Sequence, residues 1–174
     1  MHHFAGIGTR EPTKEILDIC FLLGQEIAKA GHILKSGNAI GCDNAFMMGA
    51  SSIDPSKVIA CLPWKGYNNT LLHPKWKTFI EGQGSKQLYR LLIKTLHPKW
   101  NNLKDSVKAL HTRNAAIIDN CICVFAAPKT NSLFGGGTEM GIKIAKHMSI
   151  PVINLNETTP QKLEKIIKRL HELT

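Results

Sequence analysis

No apolar stretch of the sequence approaches the roughly 18 residues that a bilayer-crossing helix needs, and the opening Met1-His2-His3-Phe4-Ala5-Gly6 has no cationic region followed by an apolar one. Membrane residence and export are therefore not expected, and a cytoplasmic protein is. Cysteine pairing is equally poorly provided for. Cys20, Cys42, Cys61, Cys121 and Cys123 are odd in number, contain no C-x-x-C and lie mostly within apolar runs, which suits buried free thiols. Cys121-x-Cys123 has no second ligand pair at zinc-like spacing, so no structural metal is expected. Acidic residues are scarce in the middle of the chain. Residues 61–113 hold 10 Lys and Arg against 2 Asp and Glu, whereas residues 1–60 hold 5 against 6 and residues 114–174 hold 7 against 5. Almost all of the net charge of +9 thus sits in one third of the chain, where it would attract phosphates or serve solubility alone.

What is present is the material of one globular domain. A length of 174 residues supports a single core. A content of 43% hydrophobic and 20% charged residues excludes disorder and fibrous architectures. His3 to Gly8 reads as a short buried strand ending in glycines. Thr13 to Ala30 then places Ile16, Cys20, Leu23 and Ile27 at helical spacing, with Gly31 as the stop. Strands follow at residues 32–35, 58–62, 121–126 and 150–155, and helices at residues 43–50, 104–118 and 138–147, with a last one opened by Pro160. The alternation predicts an α/β fold: an open parallel sheet of about five strands with helices on both faces.

Residues 64–102 read as a long, basic, irregular insertion after the third strand, rich in Trp and Lys, with a helix allowed at residues 86–94. Its Trp64, Tyr67, Trp76 and Trp100 interleave with lysines, a mixture able to stack bases or to pack beneath a loop. It also carries a near repeat, Leu72-His73-Pro74-Lys75-Trp76 and Leu96-His97-Pro98-Lys99-Trp100. His73, His97 and His111 read as structural or surface residues.

In such a sheet, ligands bind beyond the carboxyl ends of the strands, and three glycine-rich loops fall there. Gly6-Ile7-Gly8-Thr9-Arg10 lets backbone amides approach an anion while Arg10 adds a fork of donors. It lacks the third glycine of a dinucleotide fingerprint, so NAD is not expected. Ser36-Gly37-Asn38-Ala39-Ile40-Gly41-Cys42-Asp43 offers a hydroxyl, two glycines and a carboxylate; Asp43 could meet a ribose hydroxyl or cap the following helix. Gly135-Gly136-Gly137-Thr138-Glu139 sets flexible amides at a helix start. Arg113 and Asn114 could reach the same rim, or Arg113 could be a solvated cation.

These residues resemble the Rossmann-like SLOG superfamily, which joins the DNA-processing protein DprA with LOG-type proteins, and within it the small stand-alone DprA-like members common in phages. The resemblance runs through Gly6 to Arg10 with Pro12, Ser36-Gly37 to Gly49-Ala50, Leu62 to Asn68, His97 to Trp100, His111 to Asn114, and Gly136-Gly137-Thr138 on to Ile150-Pro151-Val152. Three departures stand out. The glutamate that LOG phosphoribohydrolases carry three residues after their threonine is Gly141 here, with Glu139 only one residue after Thr138. Asn38 stands where small relatives show glycine. The chain has no room for the flanking domains of full-length DprA.

The resemblance implies a bound nucleotide or nucleotide-derived signal, held by Gly6, Gly8, Thr9, Arg10, Ser36, Gly37, Gly41, Asp43, Arg113, Asn114, Gly135, Gly136, Gly137, Thr138 and Glu139. No cofactor is implied, and homo-oligomerisation stays open. If viral, the chain would act in the host cytoplasm. The alternatives are a single-stranded DNA binder and a nucleoside-monophosphate N-glycosidase with Glu139 or Asp43 as its catalytic carboxylate.

Overall fold

The computed structural model describes residues 1–80, 86–129 and 136–173, with Lys86 described by its backbone alone. Among the described residues, six parallel strands form one sheet: β1 (His3–Gly8), β2 (Ile33–Ser36), β3 (Val58–Leu62), β4 (Lys77–Ile80), β5 (Cys123–Ala127) and β6 (Val152–Asn154), in the order β4-β3-β2-β1-β5-β6. The helices are α1 (Lys14–Lys29), α2 (Cys42–Ile53), α3 (Lys86–Leu96), α4 (Asp105–Ile118), α5 (Gly137–His147) and α6 (Pro160–Glu172). Among the described residues, no helix is long and apolar enough to cross a membrane.

The expected count of about five strands is corrected to six. The extra strand, β4, pairs with β3 from Ile59↔Lys77 to Leu62↔Ile80 and lies inside the segment expected to be irregular. It is four residues long, forms one edge of the sheet, and has its first two residues exposed. It therefore lacks the apolar run by which a buried parallel strand announces itself.

Alternation along the strands splits the core in two. Phe4 points to a cluster with Leu23 and Ile27 of α1, Phe46 and Met47 of α2, and Leu170 of α6. Ala5 and Ile7 point to the other face, with Ile93 of α3, Ala115 to Ile118 of α4, and Met140 and Ile144 of α5. Thr13 caps α1 by accepting the Ile16 N–H at 3.3 Å, and Thr159 caps α6 by accepting the Lys162 N–H at 3.3 Å.

The repeated pentapeptide folds the same way twice. In each copy the histidine carbonyl accepts the tryptophan N–H, at 3.1 Å for both Trp76 and Trp100. In each, the histidine Nδ1 accepts the N–H of the lysine, at 3.2 Å for both Lys75 and Lys99. The side chain thereby mimics a backbone turn, and proline fixes the backbone between. The two tryptophans, 5% and 7% exposed, drop into opposite cores: Trp76 into the Phe4 side, where its indole N–H donates to Ser51 Oγ, and Trp100 into the Ala5 side. Core anchoring, not base stacking, accounts for these two.

Candidate functional site

A cavity of about 440 Å³ opens where the order of the strands turns, beyond the carboxyl ends of β1 and β5. Of the residues expected at the site, Gly8, Thr9, Arg10, Asp43, Arg113, Asn114, Gly136, Gly137, Thr138 and Glu139 line it. Four others stand behind it. An added Cβ at Gly6 would fall 2.7 Å from the Phe46 ring, so its smallness serves packing. Ser36 is fully buried and donates to the Gly6 carbonyl at 2.6 Å. Gly37 presses on Arg113 and Asp43. Gly41, with φ +84°, brings the start of α2 against Thr9, whose carbonyl accepts the Cys42 N–H at 3.2 Å. Gly135 lies outside the described residues.

Asp43 is the hub of the wall. The carboxylate is 5% exposed, faces the Arg113 guanidinium and accepts backbone N–H groups from Ala39, Gly8 and Gly37. It therefore ties the loop after β1 to the loop after β2. Burial pushes its carboxyl up to about 6 against the pull of Arg113 and the amides. The capping expectation is corrected: Gly41 holds the cap position of α2 without a side-chain bond, while Asp43 lies within the first turn and is turned inward.

Arg113 is no solvated cation. It is 5% exposed, and its Nη1 donates to the Gly37 carbonyl and to the Cys61 carbonyl. The guanidinium carbon sits 5.7 Å over the Tyr67 ring, which meets Trp64 edge to face at 5.2 Å. Its Nε has no hydrogen-bond partner among the described residues. Neighbouring Asn38 takes φ +55°, a conformation asparagine tolerates better than most side chains, and that accounts for its presence where glycine was expected. Its amide donates to the Tyr67 and Asn68 carbonyls, each at 3.2 Å, and Asn68 returns a bond to the Asn38 carbonyl at 2.9 Å.

The α5 end is held from two directions. Asn114 donates to the Gly137 carbonyl at 2.9 Å, and Glu139 Oε2 accepts the Gly136 N–H at 2.8 Å. Across the mouth, Lys129 Nζ and Glu11 Oε2 stand 2.8 Å apart, which lowers the Glu11 carboxyl and raises the Lys129 ammonium. Ile7, Glu11, Ala39, Ile117 and Lys129 also line the cavity and were missed from sequence. Lys129 carried a usable signal, since it follows the carboxyl end of β5 by two residues.

His111, 9% exposed, packs its ring 5.0 Å from that of His97 and leaves Nδ1 without a partner among the described residues. Burial first, then His97 and Arg113, depresses it to about 4. Cys20, Cys42, Cys61 and Cys121 are buried and Cys123 half-buried, all as free thiols. Among the described residues, no three His, Cys, Asp or Glu side chains are grouped to hold a metal.

No protein-family model and no curated protein matches the sequence. Solved structures do. Helicobacter pylori DNA processing protein A, described by its single-stranded DNA binding mode, aligns over 98% of this chain and 80% of its own with a TM-score of 0.67 and 20% identity. Its Streptococcus pneumoniae counterpart gives 0.62 and 17% identity over 98% of this chain and 56% of its own. The chain shares the Rossmann-like fold of these structures, an open parallel sheet with helices on both sides. That fold also serves the molybdenum cofactor binding protein of Rippkaea orientalis, with a TM-score of 0.61 and 19% identity over 98% of this chain and 85% of that one.

Proposed function

We propose that this SLOG-type chain binds a small phosphate-bearing molecule of the nucleotide class. The observation that carries the reading is the cavity. Its roughly 440 Å³ suit a small ligand, and it unites the amides of the loop after β1, the amino end of α5, Arg10 and Lys129. Gly8, Thr9, Arg10, Asn114, Gly136, Gly137 and Thr138 would touch the ligand, with Arg113 behind them. Asp43 and Glu139 are already engaged with backbone amides, which supports binding over N-glycosidic hydrolysis. Incubation with nucleoside monophosphates should accordingly release no free base.

A thermal-shift screen across mono-, di- and cyclic nucleotides tests the reading. A ligand at 100 times its Kd stabilises the native state by about 2.7 kcal/mol, a shift of several degrees. A flat response at millimolar concentrations across the common bases removes it.

One observation favours a second reading, single-stranded DNA. Trp64 is 40% exposed and leads outward from the cavity through Tyr67 and Arg113, and one structural neighbour is described by that binding mode. DNA held through several phosphates loses affinity steeply with salt, a small nucleotide only mildly. Salt-steep oligonucleotide binding that mononucleotides do not compete would favour DNA.

A further inference from the structure

Two carboxylates of the chain occupy anion positions in the cavity. Glu139 Oε2 sits on the Gly136 N–H at 2.8 Å, and Glu11 Oε2 sits 2.8 Å from Lys129 Nζ. All four residues line the same space. The first position is the amino end of α5, an 11-residue helix whose aligned peptide dipoles favour negative charge. The second is a lysine beyond β5, reached by the loop that follows β1.

We infer that the ligand carries two phosphoryl groups, one displacing the Glu139 carboxylate at the amino end of α5 and the other displacing Glu11 from Lys129. The inference rests on the nucleotide reading and deepens it. Carboxylate and phosphoryl oxygens accept the same N–H and ammonium donors, but a phosphoryl group brings more charge and three acceptor oxygens. The side chains of Lys129 and Glu11 are 60% and 76% exposed, so their ion pair is weak and exchanges readily. A ligand with one phosphoryl group leaves one internal carboxylate in place; a ligand with two replaces both.

Isothermal titration of the full chain at constant ionic strength decides it. The probes are the common ribonucleosides, their 5′-monophosphates, 5′-diphosphates and 3′,5′-bisphosphates. One doubly phosphorylated form should bind at least about tenfold more tightly than the monophosphate of the same base. Lys129→Gln should bring that form to within about threefold of the monophosphate measured on the same variant. Glu11→Gln, which frees Lys129, should tighten it severalfold. If single and double phosphorylation bind alike, or the advantage survives Lys129→Gln, the inference is overturned and the nucleotide reading stands. If no nucleotide binds at millimolar concentration, both fall.

Discussion

Asp43 and His111 are buried ionisable side chains whose native states lean in opposite directions. Asp43 titrates near 6 in the fold against an ordinary 3.8, so between those values the native state holds more proton than the unfolded chain. Its contribution to stability falls as pH rises through that window and is level above it. His111 titrates near 4 against an ordinary 6.5, so the unfolded chain holds more proton there. Its contribution is complete above 6.5 and is lost as pH falls toward 4. His3 and His32, both lowered by burial, act in the sense of His111. Asp43→Asn should therefore show urea stability dropping more steeply than wild type between pH 6.5 and pH 4, and His111→Gln less steeply. Equal slopes in all three proteins would contradict the assignment. Asp43→Ala is harsher, for it strips three amides of their acceptor and leaves Arg113 facing no carboxylate. A loss of about 3 to 5 kcal/mol in denaturant unfolding is expected at neutral pH. From sequence, a carboxylate in the first turn of a helix has the same spacing whether it caps the helix or turns inward. The inward role of Asp43 was unreadable for that reason, and so was the burial of Arg113, which depends on the Gly37 and Cys61 carbonyls far away along the chain.

At the scale of elements, glycine, proline and helical periodicity marked nearly every boundary, and the three loops expected at one rim do meet there in part. Gly8 to Arg10 and Gly136 to Glu139 face the cavity, while from Ser36 to Asp43 only Ala39 and Asp43 do. The glycines that fell behind the cavity look the same in sequence as those that face it. Gly6 makes room for Phe46 and Gly41 for Thr9, and only tertiary contact reveals that. In the segment after β3 the helix allowed at residues 86–94 is found as α3, while β4 and the two histidine-proline turns around it were not legible, being short and without an apolar run. Trp76→Ala and Trp100→Ala should each cost about 3 to 5 kcal/mol, as for other large buried aromatics. His73→Ala and His97→Ala remove one bond to a neighbouring N–H and should cost about 1 kcal/mol. Urea titration of the four variants separates anchor from turn; equal losses would deny the two tryptophans their role.

Over the whole molecule, the sheet divides the core into two layers with few side chains in common. The cavity draws its lining from both sides of the sheet. Its wall takes Asp43 from α2 on one side of the sheet, and Asn114 and Thr138 from α4 and α5 on the other. A guest lodged there works as a rivet through a laminate. Hydrogen–deuterium exchange with a saturating nucleotide should slow amides at the starts of both α2 and α5, and protection confined to one side would mean that the two sheets of packing answer the ligand separately.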